Sequence, residues 1–153
     1  MTRGSYDDAM LVALAEAAIA IAEGDVPVGA VVLDASGVIV GRGHNRREAA
    51  HDPTAHAEIL AMREAAAGQE TWRLDGHTLV VTLEPCAMCA GAILQARIPR
   101  LVFGAWDEKA GAVGSRWDLV RDARAGASVE VIAGVLEAEC AAPLTAFFKH
   151  RRD

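Results

Sequence analysis

The 153-residue chain predicts an α/β protein, a three-layer α/β/α sandwich around a five-stranded mixed sheet. Three observations carry this prediction. Apolar segments of helical period alternate along the chain with short, strand-like apolar runs. Glycine, proline and aspartate separate them at regular intervals. Apolar residues make up 52% and charged residues 24%, the composition of a folded domain with one sizeable core. The length allows one domain or at most two small ones, and with no charge run, low-complexity tract or internal repeat to mark a boundary the chain reads as a single domain over 1–153.

The elements follow in order. Asp7 to Glu23 carries apolar residues at helical spacing, and Gly24-Asp25 closes it. Gly29–Leu33 and Val38–Val40 read as strands around the turn Asp34-Ala-Ser-Gly37, a hairpin signal. His56 to Ala67 reads as a second helix, ended by Gly68. Thr78–Leu83, with its run Leu79-Val-Val81, is a buried strand. Cys86 to Arg97 is a third helix, stopped before Pro99, and Arg100–Gly104 and Ser128–Ile132 are the fourth and fifth strands. Leu136 to Arg152 closes the chain as a helix in which Pro143 demands a kink or a late start. The hairpin strands should be antiparallel, and the later strands, joined by helical crossovers, mostly parallel.

Fifteen Lys and Arg against 21 Asp and Glu leave a net charge of −6, which argues against general nucleic-acid binding. Three cysteines do not make a disulfide scaffold. No run reaches the roughly 20 apolar residues that span a bilayer. The most apolar stretch, Ala9–Ala22, contains Glu16 and follows Asp7 and Asp8. A soluble, cytoplasmic protein with no membrane partner is expected.

Two segments carry chemistry. Pro53-Thr-Ala-His-Ala-Glu58 enters the second helix, and Glu84-Pro-Cys-Ala-Met-Cys89 lies between a strand and the third. Together they read H-x-E and P-C-x-x-C, with the first cysteine 86 − 56 = 30 residues after the histidine. Zinc favours imidazole and thiolate, and a catalytic site keeps one position for water. Cys86 and Cys89, three apart on a first helical turn, can turn both sulfurs to one ion, and the helix N-terminus favours their thiolates. His56 is the third candidate ligand. Glu58 follows His56 by two positions, about 200° around a regular helix. Both can reach one ion only at the first turn, where ligation and proton transfer by an unligated carboxylate both remain open. A redox pair and a structural zinc site are the alternatives for C-x-x-C. The structural site needs a fourth ligand, and among Cys140, His44, His51 and His77 no spacing singles one out. Cys140, among alanines and Leu144, reads as a buried, inert thiol.

At this point the chain resembles the zinc-dependent nucleobase deaminases, and more closely the bacterial tRNA adenosine deaminase family. The matching segments are Asp25-Val-Pro-Val-Gly-Ala30, Gly43-His-Asn45, His51–Ile59, Val81–Ala92, Arg97–Ala105, Asp107 with Lys109 and Gly111, and the ending Phe147-Phe-Lys-His-Arg-Arg152. They cover nearly the whole length. The resemblance implies a cytidine deaminase-like fold and one zinc ion per subunit, held by His56, Cys86 and Cys89. It implies hydrolytic deamination of a tRNA wobble adenosine to inosine by a zinc-activated hydroxide, typically in the anticodon loop of an arginine tRNA. Glu58 would shuttle protons, the backbone N–H of Cys86 would steady charge on oxygen, Asn45 would contact the nucleoside, and Asp107 would lie in a loop that meets the RNA. It also implies a homodimer, for which the small-residue face of the third helix (Ala87, Ala90, Gly91, Ala92) is a candidate. A free-base deaminase acting on guanine or cytosine is the alternative, and it suits the acidic charge.

The tail Lys149-His-Arg-Arg152 beside Phe147 and Phe148 pairs basic with aromatic residues, as single-stranded nucleotide sites do. By spacing alone the tail reads as a solvated terminus with Phe147 and Phe148 packed in the core; it is the resemblance that makes Phe148, Arg151 and Arg152 candidate contacts to a tRNA anticodon stem-loop, to which Arg97 and Arg100 could add. Trp106 departs from the basic or small residue usual in the family before the loop aspartate. It can stack on a nucleotide or pack.

Overall fold

The structure, a computed structural model, describes residues 3–126 and 128–152. Five strands form one sheet in the order β2-β1-β3-β4-β5. They are β1 (Gly29–Leu33), β2 (Ile39–His44), β3 (Thr78–Leu83), β4 (Arg100–Ala105) and β5 (Glu130–Ala133). β1 pairs antiparallel with β2 and with β3, whereas β3, β4 and β5 run parallel. The mixed sheet is thus an antiparallel hairpin joined edge-on to a parallel set, as the connection lengths require.

The central strands β1, β3 and β4 are buried on both faces, and their side chains alternate between two cores. Ala30, Val32, Leu79, Val81, Leu101 and Phe103 meet α3 (Ala57–Gln69) and α4 (Ala87–Gln95) through Ala61, Met62, Ala90 and Ile93. Val31, Leu33, Val80 and Val102 meet Met10 and Ala13 of α1 (Asp7–Ala22) and Cys140 of α5 (Glu137–Arg152). This is the expected three-layer sandwich.

Four departures from expectation have a local reason. β2 runs on to His44, through Gly41 and Gly43. These glycines do not break the strand; they let α3 lie against it, since a Cβ on Gly43 would sit 2.7 Å from Ala61 N. α3 runs past Gly68 and stops where Glu70 takes the left-handed conformation at φ 55°. A four-residue helix, α2 (Arg47–Ala50), is too short to leave a periodic signal. α5 continues through Pro143. The carbonyl that proline leaves unbonded belongs to Glu139, which is exposed to water. No helix of the described residues is long and apolar enough to cross a membrane.

Candidate metal centre and cleft

His56 and Cys86 are the residues immediately before α3 and α4, both in extended conformation. The crossover after β2 and the one after β3 therefore bring two helix N-termini to one end of the sheet. His56 Nδ1 lies 3.6 Å from Cys86 Sγ and 3.5 Å from Cys89 Sγ. Zinc bonds of about 2.0–2.1 Å to nitrogen and about 2.3 Å to sulfur, at tetrahedral angles, separate N and S by about 3.5–3.6 Å. The donor set fits zinc in identity and in spacing.

Among the described residues the group holds three donors. Cys140 lies in the other core with its thiol toward Val135 O, and burial pushes that thiol up to about 12. The His44 ring lies between Glu16 and Glu23, and His77 Nδ1 meets Asp75 O. His51 ends α2 with a φ of 50°. None of the four candidate donors completes a closed structural site.

The electrostatics favour thiolate at the open side of the pair. The Cys86 thiol is drawn down to about 3, first by the hydrogen bond that Cys89 donates and then by His56. Cys89, the buried donor of that bond, is pushed strongly up, with Glu58 contributing. The His56 imidazole is raised through its contact with Cys86. Glu58 is 4% exposed, and burial raises its carboxyl against the opposing pull of its own N–H and of His56. It stands beside Cys89 but outside the three-donor group, so the start of α3 sets a buried carboxyl apart from the donor at His56.

His56, Glu58 and Cys86 line the floor of a cleft of about 620 Å³. One wall carries Asn45 and Arg47, the other Trp106 to Ala110, and Leu144 and Phe148 of α5 complete the rim. Asn45 is buried, its Nδ2 donating to Val26 O and its Oδ1 accepting from Arg47 N, which fixes the amide at the cleft surface. Asp107 Oδ1 accepts from Lys109 N and Ala110 N, closing a tight turn. Trp106 does two things at once: it packs edge-on against Phe103 at 4.9 Å and remains 45% exposed along the cleft.

The tail divides. Phe148 lines the cleft, with Phe147 edge-on to it. Arg151 turns back over the Phe147 ring and donates to Gly24 O at 3.2 Å, tying α5 to the end of α1. The side chain of Arg152 lies outside the described residues. Arg97 and Arg100 do not join the tail. They sit at the opposite end of β4, Arg100 paired with Glu130 and Tyr6, Arg97 over Trp72.

Sequence reasoning gave no role to three cleft features. Arg47 and Lys109 face the cleft from opposite walls, and isolated cations leave no pattern. Asp25 is 2% exposed and accepts from Glu48 N and Ala49 N at the start of α2, which holds the Asn45 wall. Glu84, equally buried, binds the opposite wall. Their only signal was membership of the matching segments.

Comparison with known proteins agrees with this geometry. Residues 4–105 match the cytidine and deoxycytidylate deaminase zinc-binding region. The tRNA-specific adenosine deaminase of Haemophilus influenzae is 49% identical over 99% of this chain and 88% of its own length. A solved tRNA:A34 deaminase, from studies of A-to-I editing at the wobble position of transfer RNA, superposes with a TM-score of 0.85. It is 43% identical, over 88% of this chain and 97% of that one. A guanine deaminase of Nitrosomonas europaea superposes at 0.79 with 27% identity, over 90% and 81%. Kinship of this extent, running through both ligand-bearing segments, means that the chain belongs to the zinc-binding cytidine and deoxycytidylate deaminase family, among its tRNA-specific adenosine deaminases.

Proposed function

We propose that the protein hydrolyses the wobble adenosine of a tRNA anticodon to inosine, with His56, Cys86 and Cys89 holding one zinc ion and Glu58 carrying protons. The observation that carries this reading is the placement of Glu58: buried, raised toward its protonated form, and beside the donor triad without belonging to it. Zinc, when bound, lowers the pKa of a water from 15.7 to about 7. Glu58 collects the proton that water surrenders and places it on adenine N1, which leaves C6 electron-poor; a second proton leaves with the amine as ammonia. Proton transfer by a positioned group of this kind contributes about 10²–10⁴ in rate.

The walls suit a splayed nucleotide. Trp106 and Phe148 offer half-exposed rings for stacking, and Arg47 and Lys109 offer cations. An anticodon loop presents unpaired bases, so extrusion costs less there than from a duplex. These local cations answer the objection raised by the net charge of −6. The greater identity and TM-score of the tRNA:A34 deaminase than of the guanine deaminase favour RNA over a free base. The cytoplasm is where such a substrate is met.

The protein acts as a homodimer in this reading. α4 buries Cys89, Ala90 and Ile93 on its own sheet and leaves an apolar groove of about 470 Å³ against α3, lined by Ile59, Met62, Trp72 and Ala92. Trp72 is 60% exposed there, and a second copy would cover it. Sedimentation as a monomer at micromolar concentration would remove this part.

The test is direct. Zinc-loaded protein is incubated with an anticodon stem-loop carrying adenosine at the wobble position and, separately, with guanine and with cytosine. Inosine should form in the stem-loop, with no ammonia released from either base. The reverse pattern overturns the proposal.

A further inference from the structure

Glu84 lies two residues before the ligand Cys86, is 2% exposed, and has every acceptor position committed to one loop. Its Oε1 accepts from Asp107 N at 3.0 Å and from the Ser115 hydroxyl; its Oε2 accepts from Val113 N at 2.9 Å and Ser115 N at 3.0 Å. The loop is shaped around that carboxylate. A Cβ on Gly111 would press on Glu84 itself and lie 2.5 Å from Asp107 O. Further bonds run from Glu84 N to Ala105 O and from Ala112 N to Pro85 O, so the segment before Cys86 and the segment 105–115 are stitched on both sides of the side chain. The same loop supplies Trp106, Asp107 and Lys109 to the cleft.

We infer that Glu84 is a positioning residue, which sets the span between the metal-binding turn Cys86–Cys89 and the substrate wall at 106–110 by binding that wall through its backbone. This rests on the cleft being the substrate site. Both carboxylate oxygens are engaged by the loop, and Glu84 acts through it. Four donors on one buried carboxylate are worth more than neutral hydrogen bonds, and an amide NH₂ in its place would confront N–H groups with nothing to accept them.

The test uses Glu84→Gln in the zinc-loaded full chain, with Ser115→Ala as a milder variant that keeps three of the four bonds. Amide exchange at Asp107, Val113 and Ser115, zinc content per chain, and kcat and KM on the stem-loop are read together. Expected for Glu84→Gln are exchange at least tenfold faster at these amides, unchanged zinc, and KM raised about tenfold with kcat within threefold. Ser115→Ala should shift exchange and KM the same way, by about threefold, and carries the test if the first variant does not fold. Unchanged exchange in the folded variants overturns the inference. So does a loss confined to kcat, or a loss of zinc, either of which would place Glu84 on the metal ligands. Faster exchange in a protein whose unaltered form leaves the stem-loop untouched keeps the clamp and removes the substrate assignment.

Discussion

Gly43→Ala is the sharpest probe of how the sheet positions the chemistry. The new Cβ would meet α3 at Ala57 O and stand 2.7 Å from Ala61 N, where ordinary contact begins at 3.4 Å. α3 or β2 must therefore retreat by at least 3.4 − 2.7 = 0.7 Å. β2 is an edge strand and takes part of the shift, but the pressure falls on the first turn of α3, which carries Glu58 and follows His56 directly. Misplacement by about 1 Å costs reactions of this kind about a hundredfold. Shared with the strand, the expected loss in kcat/KM on the stem-loop is about tenfold to a hundredfold. Overpacking costs about 1–3 kcal/mol, offset by about 0.5–1 kcal/mol from removing a strand glycine. The net cost is up to about 2.5 kcal/mol, and at about 2–4 °C per kcal/mol for a chain of this length Tm falls by up to roughly 10 °C. The control is Gly68→Ala, in the last turn of α3 with no atom within 4 Å of its Cβ, which should keep full activity and gain slightly in Tm. A Gly43→Ala protein within twofold of the unaltered kcat/KM, and no less stable than the control, would refute the close-approach reasoning.

Glu58→Ala should retain one zinc per chain and bind the stem-loop while losing about 10²–10⁴ in rate; full activity defeats the proton-carrying role. Reversing Arg151 and Arg152 to Glu should weaken tRNA binding and flatten its salt dependence, by about 0.7–0.9 in the log–log slope for each phosphate the tail no longer neutralises. Filter binding from 50 to 200 mM salt reads both, and no change in either means that the tail does not touch the RNA. For Cys140, burial raises the folded thiol from 9.0 to about 12, so the unfolded chain loses this proton first. Its contribution to stability is complete below pH 9 and is lost as pH climbs toward 12, at no more than about 1.4 kcal/mol per unit. Urea unfolding of Cys140→Ala between pH 8 and 11 should show a shallower alkaline decline than the unaltered protein, and equal slopes would contradict the assignment.

The sheet was legible where strands are buried on both faces. β1 and β3 keep their expected bounds, because two cores leave no exposed position in either and only Thr78 and Thr82 interrupt the small and apolar residues. The strand expected over Val38–Val40 runs on to His44, because Gly41 and Gly43 carry no apolar strand signal and their place is set by the helix against them. The donor triad was legible because zinc chemistry restricts both residue type and spacing. The cleft walls were not. Asp25 and Glu84 act on backbone N–H groups 23 or more residues away, and backbone donors leave no mark in a sequence. Arg97 and Arg100 group with the tail by charge alone, yet a strand's length separates them from it.

The loop that closes the cleft has consequences for how such an enzyme diverges. Its path is dictated by main-chain amides anchored on one interior acid, so the side chains of Glu108 and Lys109, both exposed at the cleft, bear none of its folding. Under the proposed function they can be exchanged to favour a different tRNA while the groups beneath stay in register. Drift in what is read is thereby uncoupled from drift in what is done.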